Sequence, residues 1–176
     1  AREFLNGKNR WCLWLEGIKP KELRSLKLVS ERVEKVKQQR ASSNRAATKK
    51  LAAFPTLFGE NRQPKTDFIL IPLHSSERRK YIPIGFFNQN YIANNSTSVV
   101  GNATLYHFGI LMSEMQMTWV KYTCGRIKSD YRYSNEIVYN NYPFPKESSD
   151  KNRQKVEKAA QKVLDVRAEF PESSLA

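Results

Sequence analysis

The run Cys124-Gly125-Arg126-Ile127-Lys128-Ser129-Asp130-Tyr131-Arg132-Tyr133-Ser134-Asn135 continues through Glu136-Ile137-Val138-Tyr139-Asn140-Asn141 to Tyr142-Pro143-Phe144-Pro145, and the reading of the whole chain turns on it. In an extended segment successive side chains point to opposite faces, which would place Arg126, Lys128, Asp130 and Arg132 together on one side. A salt-bridged surface strand has the same pattern. What these residues mean therefore depends on the sequence around them.

Upstream of this run, Leu105, Phe108, Met112, Met115 and Trp119 recur at steps of three and four, predicting one amphipathic helix that opens near Thr104. A methionine and aromatic stripe of this kind is core rather than a cofactor box. Further upstream, Phe68-Ile69-Leu70-Ile71 is apolar on both sides of an extended chain and predicts a central, buried strand ended by Pro72. A polar, basic link, Leu73 to Lys80, leads into a second strand, Tyr81 to Phe87, and the two could form a hairpin-like unit. Asn88 to Asn95 reads as loop, and Ser96 to Val100 as another short strand ended by Gly101.

Nearer the start, Arg10 to Leu15 alternates large apolar with smaller residues and predicts a short strand. Pro20 is a good first helical residue, and Leu23, Leu26, Val29, Val33 and Val36 follow at helical spacing, predicting a helix of about five turns. A shorter helix, Asn44 to Ala53, should end before Pro55. At the other end, Ser148-Ser149-Asp150 supplies capping residues for a helix through Phe170, with Val156, Ala160, Val163 and Val166 inward. The expected class is α+β, a small mixed sheet flanked by amphipathic helices. Residues 1–147 would form one domain, and 148–176 a C-terminal helix that begins a following helical segment.

Composition narrows the partner. With 176 residues, 40% of them hydrophobic and 11% aromatic, the chain can build a core. Its 30 Lys and Arg against 17 acids give a net charge of +13, which favours a polyanion, nucleic acid before an anionic membrane surface. The charge is uneven: between Lys19 and Lys50 there are 11 Lys and Arg against 3 Glu, a net of +8. Most of these side chains suit a solvated helix face. Their concentration also makes the segment, with Lys35, Lys37 and Arg40 on its basic side, a candidate clamp on phosphates that would not read bases.

Cys12 and Cys124 are far apart, as are His74 and His107, so neither a disulfide framework nor a zinc spacing is present. With no apolar run of about 18 residues and no signal-peptide pattern, a soluble, cytoplasmic setting is expected. The start at Ala1-Arg2-Glu3, without Met, fits a piece of a longer protein. Enzymatic signatures are missing: no Gly-rich loop follows a strand, and no acid and Lys cluster resembles a nuclease. Asn141-Tyr142-Pro143-Phe144 is similar to the Asn-Pro-Pro-aromatic motif of adenine methyltransferases, but Tyr142 stands where the first proline belongs. It reads as a domain-end turn.

Several segments carry a family resemblance in addition to the run from Cys124 to Pro145. They are Phe4-Leu5-Asn6-Gly7, Arg10-Trp11-Cys12-Leu13-Trp14-Leu15, Pro55-Thr56-Leu57-Phe58-Gly59-Glu60, Ser75-Ser76-Glu77-Arg78-Arg79, Tyr81-Ile82-Pro83-Ile84-Gly85-Phe86 and Asn102-Ala103-Thr104-Leu105-Tyr106-His107-Phe108-Gly109. Taken in this order they cover nearly the whole chain. They resemble the target recognition domain of MmeI-like restriction-modification enzymes and related adenine-specific DNA methyltransferases. The resemblance implies a single domain without catalysis of its own that recognises double-stranded DNA. Methyltransferase domains of the same polypeptide would bind S-adenosylmethionine and methylate a flipped adenine, and in some members a nuclease is fused. No cofactor, no metal and no membrane partner are expected for this segment.

The resemblance further implies three variable positions: Leu73 with His74, Asn95 with Ser96, and Lys128 with Asp130 and Arg132. Lys128 can donate to guanine O6 and N7 while Asp130 accepts from cytosine N4, so the two could span one G·C pair. Asn95 can make a bidentate contact with adenine, or can serve the geometry of its Asn-Asn-Ser loop. Leu73 offers at best a contact to a thymine methyl. Ser75, Ser76, Arg78, Arg79, Lys80 and Arg126 are candidate DNA-backbone ligands, with solvated loop charge as the competing reading. Two other functions remain open. Basic residues interleaved with Tyr131, Tyr133, Tyr139 and Tyr142 could stack unpaired bases in an RNA or single-strand module, and a non-catalytic protein-interaction domain would carry its charge without using it.

Overall fold

The computed structural model describes residues 2–175, which fall into two units: Arg10–Arg62, and the residues up to Asn9 together with those from Gln63 on. No helix among the described residues is long and apolar enough to cross a membrane.

The second unit opens with a single helical turn, α1 (Arg2–Leu5), and holds all the described strands. The segment predicted as a central strand is β1 (Phe68–Pro72), buried at every position and flanked on both sides by antiparallel neighbours. One neighbour is β3 (Gly85–Phe87), with Phe68 opposite Phe87, and the other is β4 (Thr97–Gly101), with Leu70 opposite Val99. A second antiparallel sheet has the order β2 (His74–Ser75), β6 (Asp130–Arg132), β5 (Gly125–Ile127). The α+β class therefore stands, with the strands shared between two small sheets. Of the predicted strand Tyr81 to Phe87, only the last three residues pair. Ile82, Pro83 and Ile84 are buried as an approach to the sheet edge.

The predicted helix from Thr104 to Trp119 is two helices, α5 (Leu105–Leu111) and α6 (Glu114–Thr123). Extended backbone at Ser113 breaks the helix, and the Ser113 hydroxyl caps α6 by accepting from the Gln116 N–H at 3.1 Å. The break resets the helical phase. Met115, expected inward, is 61% exposed, while Gln116, Met117 and Val120 face the core with Phe108 and Leu111.

The last helix, α7 (Asp150–Glu169), starts where its serines predict, with Ser149 accepting from the Asn152 N–H. It packs on α5. Gly109 is what allows the close approach: a Cβ there would lie 2.6 Å from Val156 Cγ1 and 3.1 Å from the Val156 carbonyl oxygen. Val163 and Val166 are exposed, contrary to the predicted inward row. Each step of three residues falls about 60° behind the helix face, so Leu164 and Arg167 complete the row instead. Arg167 donates to the Ile84 carbonyl at 2.7 Å and lies over the Phe108 ring, and burial lowers its pKa.

The unit Arg10–Arg62 contains α2 (Pro20–Ser25), α3 (Lys27–Ala41), α4 (Ala46–Lys50) and a 3-10 turn, Leu51–Ala53. The predicted five-turn helix is interrupted at Leu26, whose φ and ψ of −97° and 76° are not helical. The predicted strand Arg10 to Leu15 does not form. Every described strand lies between residues 68 and 132, so this segment has no ladder to join. Trp14 stacks instead on Phe58 at 5.4 Å, and Trp11 is 91% exposed.

Candidate nucleic-acid interface

One residue draws three distant segments together. The Leu73 N–H donates to the Ser96 carbonyl at 3.0 Å, and the Leu73 carbonyl accepts from the Tyr133 N–H at 2.8 Å. Beyond Leu73, His74 lies opposite Arg132 and Ser75 opposite Tyr131 in the β2–β6 ladder. The three candidate reading positions, spread over about 60 residues of sequence, are thus joined at backbone level. His74, Asn95, Lys128, Asp130 and Arg132 are exposed, while Leu73 and Ser96 are half-buried.

The loop before β4 is an Asx turn built on Asn94. Its Oδ1 accepts from the Ser96 N–H at 3.0 Å and from the Ser96 hydroxyl at 2.6 Å. Turn geometry is the work of Asn94, and the Asn95 side chain is left exposed.

The segment Gly125 to Arg132 is a hairpin, not one extended strand. Ile127 pairs with Asp130, so Lys128 and Ser129 form the tip, and Lys128 has a φ of 55°. Residues opposite each other in an antiparallel pair share a face, so Arg126 lies with Tyr131, on the side away from Asp130 and Arg132. This corrects the expected row of four charges. The Arg126 guanidinium sits 4.3 Å from the Tyr131 ring centroid and donates to the Ser129 carbonyl at 2.9 Å and the Lys121 carbonyl at 3.1 Å. It is a staple for the hairpin. Among the described residues, Lys128, Asp130 and Arg132 have no ion-pair partner within 4.0 Å, so a salt-bridged strand does not account for them.

Beneath the hairpin, Tyr131 and Tyr133 are buried. Burial pushes the Tyr133 phenol well above its ordinary value, and Gln116 Nε2 donates to its oxygen at 3.3 Å. Beside the hairpin, the loop after β2 turns at Ser76 to Arg79, with the Arg79 N–H donating to the Ser76 carbonyl at 3.2 Å. Ser75 is buried and accepts from Arg79 Nη1 at 3.3 Å, and the Ser76 hydroxyl accepts from the Arg78 N–H. Of the candidate backbone ligands, Arg78 and Lys80 are exposed cations of this loop, while Ser75 and Arg126, the latter exposed as well, serve the fold first.

The family model of the MmeI target recognition domain matches residues 1–146, and that of the MmeI C-terminal domain matches residues 148–176. This chain belongs to the MmeI target recognition domain family. It is similar to DNA methyltransferase A of Bacillus subtilis (strain 168), at 41% identity over 167 residues, covering 95% of this chain and 19% of that protein. It is also similar to the type IIL restriction-modification enzyme MmeI, whose structure was solved in complex with DNA, at 40% identity with a TM-score of 0.96. That match covers 99% of this chain and 23% of the MmeI chain. The chain thus spans about a fifth of the length of these relatives.

In this member of the MmeI recognition-domain family, the Asn-Tyr-Pro-Phe run is a turn. Asn141 Nδ2 donates to the Glu136 and Ile137 carbonyls at 2.7 and 3.2 Å, closing the π-helical turn Asn135–Tyr139. Its amide faces its own backbone. Three features escaped the sequence reading: the Asn94 turn, the Arg126 staple and a bond in which Asp130 Oδ1 accepts from the Glu77 N–H of the 76–79 turn at 3.2 Å. The Asn-x-Ser spacing of 94 and 96 could have pointed to the first. The other two depend on register that only the folded hairpin fixes.

Proposed function

We propose that this chain reads the target sequence in double-stranded DNA on behalf of a methyltransferase in the same polypeptide. The observation that carries the reading is the convergence at Leu73, which gathers His74, Asn95, Lys128, Asp130 and Arg132 on neighbouring backbone. Lys128 and Arg132 offer donors suited to guanine O6 and N7, Asp130 an acceptor suited to cytosine N4, and Asn95 a bidentate match to adenine. Leu73 and Ser96 frame these side chains. Arg78, Arg79 and Lys80, with Ser76, face the phosphates.

The parent acts on the amino nitrogen of adenine, flipped from the duplex and methylated from S-adenosylmethionine, with a nuclease fused in the manner of a restriction-modification enzyme. No residue of this chain is assigned to the cofactor. Residues up to 147 form the reader, and 148–176 open the following helical segment. The single-strand reading loses its basis, because Tyr131, Tyr133 and Tyr142 are buried and Tyr139 is half-buried, so they present no stacking platform.

The test is to sequence the sites methylated by the full-length protein and by its Asn95→Ala, Lys128→Ala and Arg132→Ala variants. Each variant should relax the target at one position, since a bidentate pair is worth roughly 1–3 kcal/mol of discrimination. Unchanged sites at normal activity in all three would sink the reading.

A further inference from the structure

Asp130 lies exposed beside the tip of the hairpin, yet its carboxylate is already in use. Oδ1 accepts from the Glu77 N–H at 3.2 Å, across a sequence separation of 53 residues. From the next residue of the same strand, the Tyr131 hydroxyl reaches the Glu77 carbonyl at the longer distance of 3.4 Å. Glu77 is the second residue of the turn that begins at Ser76, closed by the Arg79 N–H and steadied by the Ser76 hydroxyl. One residue in the middle of the loop is therefore gripped at both its N–H and its carbonyl by consecutive residues of β6. The two exposed cations of the loop, Arg78 and Lys80, follow it within three residues.

We propose that Asp130 is a positioning residue for the basic 76–80 loop, so that base-reading hairpin and phosphate-facing loop meet DNA as one preorganised body. The inference rests on the DNA-reading function proposed above. A loop held before binding does not have to be ordered during it, and this saves conformational entropy for every duplex, whatever its sequence. Asp130 then has two separable effects. Its Oδ2 acts on one base position, while its Oδ1 acts on affinity for all sites. A substitution chosen to change the target also loosens the grip on the loop unless the new side chain keeps an acceptor at Oδ1.

The experiment compares the full-length protein with its Asp130→Ala and Asp130→Asn variants; asparagine retains Oδ1 as an acceptor and loses the charge. Without DNA, hydrogen exchange over residues 76–80 should speed up on the order of tenfold in the alanine variant. In the asparagine variant it should stay within about threefold of the natural protein, a neutral acceptor being the weaker one. On duplex DNA lacking the target, the alanine variant should bind more weakly, and its slope of log affinity against log salt should fall by about 0.9 for each phosphate that is no longer neutralised. The asparagine variant should keep the slope while changing the preferred target. Exchange in the alanine variant equal to that of the natural protein, or equally fast exchange in both variants, would overturn the proposal. So would an unchanged salt slope in the alanine variant. If the exchange results hold but the natural protein shows no salt-sensitive duplex binding, the DNA-reading function fails while the grip on the loop stands.

Discussion

In the unit that carries the strands, Phe68, Ile69, Phe108, Val120 and Val138 are almost wholly excluded from solvent, whereas no residue from Arg10 to Arg62 is buried. Leu28 and Phe54 of the latter are 74% and 60% exposed. A segment of this size has too little interior to hide its apolar surface, and its helices are held by local ties. The Ser30 hydroxyl donates to the Leu23 carbonyl across the break at Leu26, and Arg40 spans three carbonyls after α4. The lesson concerns precision. Base reading needs a rigid scaffold, and the residues proposed for it belong to the unit that has a core. Residues that meet only phosphates tolerate looser support, and the basic run from Lys19 to Lys50 is found where burial is poorest.

The largest effect should come from setting a truncation in the core of one unit beside a smaller one in the other. Phe108→Ala should cost about 3–5 kcal/mol, because it leaves a cavity between β3, α5 and α7. Val33→Ala, in a half-buried position of α3, should cost about 1 kcal/mol or less. Urea unfolding measures both, and equal losses would erase the distinction between the two units.

Next in size is Arg40. Its guanidinium donates to the Leu51 carbonyl at 3.1 Å and to the Phe54 and Leu57 carbonyls at 2.8 Å each. Much of this network is exposed, so water can replace it in part, and Arg40→Ala should cost only about 1–2 kcal/mol. Arg40→Lys should not restore it, since a single ammonium cannot reproduce a planar fork with five donors. Hydrogen exchange over residues 46–58 reads the loss. Rescue by lysine would show that charge, not geometry, is what Arg40 supplies.

Arg40 also shows where sequence reading reaches its limit. From spacing alone it belongs with Lys35 and Lys37 on a basic helix face, and nothing local tells a solvated guanidinium from one turned back on its own chain. Elements marked by composition were legible. The apolar run at 68–71 is a central strand, and Ser149 caps a helix where expected. Elements whose phase depends on a break were not. The Ser113 and Leu26 interruptions lie inside apolar patterns that continue across them, so Met115 was expected inside when it is outside. At the site, the resemblance named the candidate positions together, but the bonds that join them had no sequence signal, because those that Leu73 makes reach segments about 23 and 60 residues away, and such pairing has no local signature.

With Arg40 set aside as structural, the basic face is tested by Lys35→Ala with Lys37→Ala. Lys37 is exposed, and its contact to Glu34 at 4.0 Å is too long and solvated to matter for stability. The double variant should unfold like the natural protein. It should bind all duplexes less tightly, with a salt slope smaller by at most about 2. A changed methylated sequence would mean that this segment reads bases, and the division of labour between the two units would fall.

The smallest effect asks whether the hairpin proposed to read bases carries strain at its tip. Lys128 occupies the first tip position of the β5–β6 hairpin with a φ of 55°, a region where a Cβ crowds the following carbonyl and glycine is the usual occupant. Lysine there costs stability, and its side chain is exposed and without an ion-pair partner among the described residues, so nothing in the fold repays the cost. Lys128→Gly should therefore stabilise the folded chain by about 0.5–1 kcal/mol, the relief of strain being offset in part by the larger entropy of glycine in the unfolded state. The same variant should lose discrimination at one base pair of the target. Stability and recognition would move in opposite directions, the pattern expected where strain is kept for the sake of a contact. The control is Lys128→Asn, since asparagine tolerates this backbone better than lysine and still offers donors to a base. It should gain part of the stability and keep part of the discrimination. If Lys128→Gly stabilises the protein and the methylated site stays the same, the tip does not touch DNA, and base reading contracts to His74, Asn95, Asp130 and Arg132.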